Sequence, residues 1–380
     1  MKGIECIELR KFITEYKQKN EKNEFKPVAV GKYGIRTRES IYSKELAKDY
    51  SKNKIIFKNT LTVGMGSRQI DIGILTDDVI YSVSPAYHTY KISDINADYL
   101  RYCLMCRNED MFKRFVKRGS RQGKSIDLKR WLEYEIPVYD VCNQEKIVLK
   151  LNKVTNVISM RKQQLQKLDE LIQARFVELF GEPILKPKDW KIITIGDIAL
   201  DVRYGTSRPA VEGGKYPYLR MNNLTIDGHL DLTDLKYIDI PEDELEKCVV
   251  RKGDILFNRT NSLELVGKTA VFDLCEDMVI AGYIIRVRLN NKMMLPEIFS
   301  QYMNHKTLKK ILRGMAKGAV NQANINAKEL QSIKIYVPNM KLQDEFVTFV
   351  NQVNKSKVEI QKALEKTQLL FDSLMQQYFG

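Results

Sequence analysis

The sequence predicts an α+β protein built by internal duplication. It has two similar mixed α/β globular parts, and two long antiparallel coiled-coil helices related by a pseudo-two-fold. Three observations carry this. The chain repeats itself at a fixed offset, two segments hold a heptad seam, and short β-branched runs bounded by turn residues fill the rest. Sliding the sequence by 199 residues aligns 119–181 with 318–380 without a gap. Fourteen of the 63 pairs are identical, among them Gly119/Gly318, Ile126/Ile325, Gln144/Gln343, Asn152/Asn351 and Phe180/Phe379, where average composition gives roughly four.

The aligned segments end in the seams. Ile147, Leu151, Val154, Ile158, Leu165, Leu168, Ile172 and Leu179 step by fours and threes, interrupted only by Arg161 and Arg175. Phe346, Val350, Val353, Ile360, Leu364, Phe371, Leu374 and Tyr378 follow the same rule, with Lys357 and Thr367 as the interruptions. Neither segment contains proline or internal glycine, so each predicts one long helix whose apolar stripe seeks a partner. Helices of matched length and seam in one chain are expected to pair with each other. Because the first leads out of the first globular part into the second, the last must return antiparallel. The expected divisions are 1–143 (first globular part), 144–181 (central helix), 182–342 (second globular part) and 343–380 (C-terminal helix).

The globular parts are expected to be strand-rich, with strands at residues 54–57, 78–81 and 283–287. A helix over 98–117 and another over 297–315 are each followed by a polar loop, 119–124 and 318–324. Formal charge is +14, from 62 basic and 48 acidic residues, and 12 of these 14 units fall in the two globular parts. A polyanionic partner, double-stranded DNA, fits that excess. No run of eighteen apolar residues predicts a membrane span, the first residues lack the apolar core of a signal peptide, and six scattered cysteines form no disulfide framework. A cytoplasmic protein without membrane contact is expected.

Signals for catalysis are weak. His88, His229 and His305 show no paired-ligand spacing, and Cys103 with Cys106 is a lone CxxC in an apolar helical run, so no metal site is expected. Val266-Gly267-Lys268-Thr269 imitates the end of a phosphate-binding loop, but Ser262 stands where its first glycine belongs. No glycine-rich strand-to-helix turn offers a nucleotide a home, and the chain is read as non-catalytic and cofactor-free. What remains are side chains suited to reading DNA. Arg259 and Asn261 stand at a strand exit, with Arg203, Arg208, Arg220, Asn222, Asn223 and Lys268 in the same part. In the first part the candidates are Arg36, Arg38 and Arg68, with Tyr33 and Tyr42 beside them. The loops before the long helices add Arg118, Arg121, Gln122 and Lys124 in one copy and Asn321 and Gln322 in the other. Arginine can grip guanine and asparagine can grip adenine in a bidentate manner, and a phosphate contact is the other role open to each candidate.

With these residues in view, the chain resembles the specificity subunits of type I restriction–modification systems over its whole length. Trp190-Lys191-Ile192-Ile193-Thr194-Ile195-Gly196-Asp197-Ile198 is similar to the opening of a target-recognition domain. Gly253-Asp254-Ile255-Leu256-Phe257-Asn258-Arg259-Thr260-Asn261, followed by Leu265-Val266-Gly267-Lys268, is similar to its central strand and loop. Asn324-Ile325-Asn326-Ala327-Lys328-Glu329-Leu330 looks like the start of the region leading into the long helix, and Lys32–Ser40 with Val83–Tyr87 looks like one type of first domain. The first domain departs from the pattern in lacking an opening tryptophan and in reading Ser125-Ile126-Asp127-Leu128 where the second reads Asn-Ile-Asn-Ala.

The resemblance implies a non-catalytic subunit whose two target-recognition domains each read one half of a bipartite, asymmetric DNA target. It implies two methyltransferase subunits as partners, with restriction or translocase subunits joining them. S-adenosylmethionine, ATP and Mg would then sit on those partners. Two other readings stay open on the residues alone: a coiled-coil scaffold for protein partners, and a specificity subunit for a single-polypeptide cutting and methylating enzyme.

Overall fold

The computed structural model describes residues 4–32, 34–41, 49–119, 123–183, 190–319 and 322–380. The chain divides into two compact units: Met1–Lys162 with Gln361–Gly380, and Gln163–Ile360. Each unit takes half of each long helix, so the division falls inside the helices rather than at their ends.

The two units repeat one plan. In the first, the central antiparallel sheet runs in the order Ile13–Glu15, His88–Ile92, Thr60–Met65, Ile70–Leu75. In the second, the order is Ala199–Tyr204, Ile284–Leu289, Ile255–Asn258, Thr269–Val271, also antiparallel throughout. A further sheet in the second unit orders Lys236–Ile238, Tyr216–Leu219, Met278–Ile280 and Val249–Val250, with one parallel pairing, Tyr216–Leu219 beside Met278–Ile280. The first unit has the same pieces in looser form. Hairpin Val28–Gly31/Gly34–Thr37 and pair Lys54–Ile56/Tyr81–Val83 are joined by the parallel bridge Pro27–Ser82. The strand expected over 78–81 therefore begins only at Tyr81, because Asp77 and Asp78 are spent on the turn before it.

The duplication extends upstream of the aligned 63 residues. Helix Ala97–Cys106 and helix Asn108–Phe115 correspond to Pro296–Asn304 and Lys306–Met315, so each helix expected as one is two, broken at Arg107 and at His305. Arg107 (φ −92°, ψ 6°) leaves the helical region, and His305 (φ −61°, ψ 139°) is extended and accepts the Thr307 amide as the N-cap of the next helix. The segments expected to be polar loops are hairpins, Val116–Gly119/Gly123–Ile126 and Lys317–Ala319/Gln322–Asn324. Short helices Leu128–Leu132 and Ala327–Gln331 follow. They are capped by Asp127 and Asn326, which accept the amides of Arg130 and Glu329, so aspartate and asparagine do the same work in the two copies.

The long helices span Val141–Phe180 and Met340–Phe379, each starting three residues before the expected boundary, at 144 and 343. Their pairing is antiparallel within each unit. In the first, Arg161 donates to the Ala363 carbonyl and the Thr367 hydroxyl, while Lys150 Nζ meets Tyr378 Oη at 3.5 Å. In the second, Arg175 lies 2.5 Å from Glu345, and Lys357 lies 2.6 Å from Asp169. Two of the polar seam positions, Arg161 and Thr367, thus answer each other. Ile147, Leu151, Ile158, Phe371, Met375 and Phe379 join the first unit's core around Trp131, Leu100 and Tyr99. Ile172, Phe176, Phe346, Val350 and Val353 join the second around Phe257, Ile285 and Tyr302. Val154, Leu165, Leu168 and Leu364, seam positions as well, are only half-buried. Each seam therefore packs on the other helix and on the globular part of its own unit at once.

Candidate nucleic-acid interface

In the second unit, strand Ile255–Asn258 leaves the central sheet and continues into the two-residue strand Thr260–Asn261, which pairs with hairpin strand Gln322–Asn324. Asn258 is fully buried and fixes this exit. Its amide donates to the carbonyls of Thr260 and Tyr283, both at 3.1 Å, and its oxygen accepts from Asn261 Nδ2 at 2.8 Å. Thr260 Oγ1 donates to Asn324 Oδ1 at 3.0 Å, tying the hairpin down.

Between these two inward residues, Arg259 takes the other side. Its guanidinium lies over the Tyr204 ring, 5.0 Å from the centroid, and Nη1 reaches the Gly282 carbonyl at 3.4 Å. Its Nε has no hydrogen-bond partner, and no carboxylate comes within ion-pair distance of it among the described residues. Tyr204 is itself anchored, its hydroxyl accepting the Ala327 amide at 2.8 Å, and with Tyr283 it leaves about half its surface in solvent. After Tyr204 the chain must be glycine: a Cβ on Gly205 would sit 2.2 Å from the Ile280 carbonyl oxygen. The structure thus brings together Arg259, Asn261 and the exposed Gln322, flanked by two aromatic rings that the sequence reading did not single out. Tyrosines at strand ends are common enough that no sequence signal marks these two.

The other candidates in this unit are engaged elsewhere. Arg203 pairs with Asp201 at 2.8 Å, and Arg208 grips both oxygens of Glu244 at 3.0 and 2.8 Å. Arg220 holds the Asp234 carboxylate at 2.7 Å, and its hydrogen bond is the main cause keeping that group below the usual carboxylate range. Asn222 is exposed on the turn Met221–Asn223. Two expectations are corrected. Asn223 is buried, accepting the Arg220 amide and donating to the Asp231 carbonyl, both at 2.8 Å. Lys268 is buried too, its ammonium donating to the carbonyls of Met221 and Leu224, and burial lowers its pKa. Both side chains are buried against backbone carbonyls of their own unit, which keeps them from a duplex. Lys268 braces a loop, in the part of the sequence that imitates a phosphate-binding loop.

In the first unit, the turn between Thr60–Met65 and Ile70–Leu75 carries the exposed Arg68. Lys124, on hairpin strand Gly123–Ile126, donates to the Ser67 carbonyl at 2.5 Å, and its ammonium lies 5.4 Å from the Phe112 ring centroid. Arg118 is opposite Lys124 in the hairpin register. In both units, then, the hairpin that precedes the long helix meets the end of the same central strand, and candidate residues from separated stretches of sequence gather there. Arg36 and Arg38 are on a different part of the first unit. Arg36 lines a cleft of about 710 Å³ and Arg38 stacks on Tyr50 at 5.3 Å. Tyr33, Tyr42, Arg121, Gln122 and Asn321 lie outside the described residues.

Among the described residues, no three His, Cys, Asp or Glu side chains are grouped to hold a metal ion, and no helix is long and apolar enough to cross a membrane. Cys103 is buried, and burial pushes its thiol up to about 12, far from a reactive thiolate.

Comparison with known proteins places these features. The type I restriction modification DNA specificity domain matches twice, at residues 7–170 and 187–369. The chain is 29% identical over 187 residues to the type I restriction enzyme MjaX specificity subunit named in Methanocaldococcus jannaschii, covering 47% of this chain and 44% of that protein. It is 24% identical over 264 residues to the type I restriction enzyme EcoKI specificity subunit of Escherichia coli, covering 64% and 56%. The matched regions thus span about half the length of these curated relatives. In fold, it is similar to the crystal structure of the type I restriction–modification system S subunit from M. genitalium, with a TM-score of 0.54 and 15% identity over 99% of this chain and 96% of that one. With two family domains that cover most of its length, each on the same arrangement of strands and helices, the chain belongs to the type I restriction modification DNA specificity family.

Proposed function

We propose that this chain is the DNA sequence-specificity subunit of a type I restriction–modification complex, each globular part reading one half of a bipartite, asymmetric target. The observation that carries this reading is the doubled plan. Both units gather candidate side chains where the hairpin meets the central strand, but the residues gathered differ: the basic pair Arg68 and Lys124 in one, Arg259 with the amides Asn261 and Gln322 in the other. Equivalent positions with different chemistry suit two unlike half-sites.

The chain itself is non-catalytic, and it works in the cytoplasm with two methyltransferase subunits that carry S-adenosylmethionine. Restriction or translocase subunits bring ATP and Mg. Apolar side chains left exposed on the long helices, Leu149, Val157 and Met160 on one and Leu369 and Leu370 on the other, support helix-mediated docking of those partners. Co-expression with the methyltransferase, followed by mapping of methylated adenines, tests the reading. A bipartite methylated motif that disappears when this chain is deleted is expected. Methylation that persists without it would overturn the assignment.

A further inference from the structure

Helix Lys306–Met315 carries four bases and no acid in ten residues. At 100° per residue, Lys306, Lys309, Lys310 and Arg313 fall within an arc of roughly 100°. Lys306, Lys310 and Arg313 are exposed, and none forms an ion pair with a described residue. Among the described residues, Arg313 reaches the Glu264 backbone carbonyl, at 3.4 Å. Lys309 is turned inward to the Gly267 carbonyl; burial, with Arg313 and Lys268 nearby, brings its pKa down to about 7.

Left to itself this arrangement is unfavourable. Lys306 stands in the first turn, where the helix dipole disfavours a cation, and Lys306–Lys310 and Lys309–Arg313 are like-charge pairs four residues apart. The equivalent helix of the first unit, Asn108–Phe115, is neutralised along its length. There Lys113 pairs with Glu109 at 2.6 Å and Arg114 with Asp110 at 2.8 Å, both at the favourable four-residue spacing. The same structural position is thus self-compensated in one unit and left positive in the other.

The helix leads directly into hairpin strand Lys317–Ala319, whose partner strand pairs with Thr260–Asn261, and Arg313 touches the loop that follows Asn261. We propose that the face of Lys306, Lys310 and Arg313 is a contact to the DNA phosphate backbone, flanking the Arg259–Asn261 exit and present in the second unit only. This rests on the reading of the chain as a DNA specificity subunit. The three charges add affinity without sequence information.

The test uses the complex with its methyltransferase subunits and compares wild type with the triple variant Lys306→Gln, Lys310→Gln, Arg313→Gln. Affinity is measured against salt concentration on the target duplex and on a scrambled duplex. A phosphate face predicts that the slope of log K against log salt shrinks by about 2–3, at roughly 0.9 per contact, on both duplexes, with their affinity ratio kept within twofold. Lys113→Gln with Arg114→Gln should leave the slope unchanged, and an arginine variant, Lys306→Arg with Lys310→Arg, should retain it. An unaltered slope in the folded triple variant would overturn the proposal, and would point to an acidic protein surface as the occupant. Absence of specific binding by the wild-type complex would instead overturn the reading on which the proposal rests.

Discussion

Gln144 and Gln343, 199 positions apart, form the same clamp in the two units. Gln144 accepts the Asn96 amide at 2.9 Å and donates to the Tyr139 carbonyl at 2.7 Å; Gln343 accepts the Leu295 amide and donates to the Pro338 carbonyl, both at 2.9 Å. Each buried side chain ties the first turn of a long helix to the start of a short helix and to the segment just before its own.

Replacing either glutamine by alanine leaves a buried carbonyl and a half-buried amide without their partner. A loss of about 1–3 kcal/mol in the affected unit is expected for each, read as a lower melting temperature, with the two effects additive because the sites share no partner. Unchanged melting would mean that water or a neighbour takes over the hydrogen bonds.

The second unit's aromatic junction should be more sensitive still. Phe346 is fully buried, edge-on to Phe176 and Phe180 at centroid distances of 5.7 and 5.6 Å. Phe346→Ala is expected to cost about 3–5 kcal/mol by urea unfolding, because the rings around it belong to helices that cannot collapse into the space.

Acid should weaken the second unit through Asp201. Burial alone would raise its carboxyl, but hydrogen bonds from the buried Arg286 and from Arg203, with their charge, outweigh it and hold the group below the usual range. A depressed carboxylate stabilises the fold above its unfolded pKa, about 4. That contribution is lost as pH falls through the lower folded value. Thermal melts from pH 7 down to 3 should show this loss, and Asp201→Asn should remove the contribution at pH 7. Breaking the pair leaves Arg286 buried without its carboxylate, at a cost of about 3–5 kcal/mol.

Arg259→Ala and Asn261→Ala should weaken binding to the proper target by about 1–3 kcal/mol for each lost base contact, and relax only one half of it. Equal weakening on every duplex would make them phosphate contacts. Arg220→Ala, whose guanidinium is already held by Asp234, should change specificity far less.

The seam was legible in the sequence because a 3.5-residue period survives a few polar interruptions. What the interruptions do was not: Arg161 meets Thr367 and Asp169 meets Lys357 only once the antiparallel register is known. The strands near 54–57 and 283–287 were visible from β-branched runs, but sheet order depends on pairings far apart in sequence, such as Tyr216–Leu219 beside Met278–Ile280. Lys268 and Asn223 looked like DNA readers since composition cannot distinguish a side chain satisfied by carbonyls from a free one. The basic helix went unmarked for the converse reason, as its significance rests on the absence of partners in space.

The claim that each globular part reads its own half-site is tested most directly by exchanging residues 1–143 for the corresponding part of another specificity subunit and mapping methylated adenines across the genome of the host strain. One half of the bipartite motif should change to that of the donor, while the other half stays as it was. A change in both halves, or retention of both in an active complex, would contradict independent reading by the two parts.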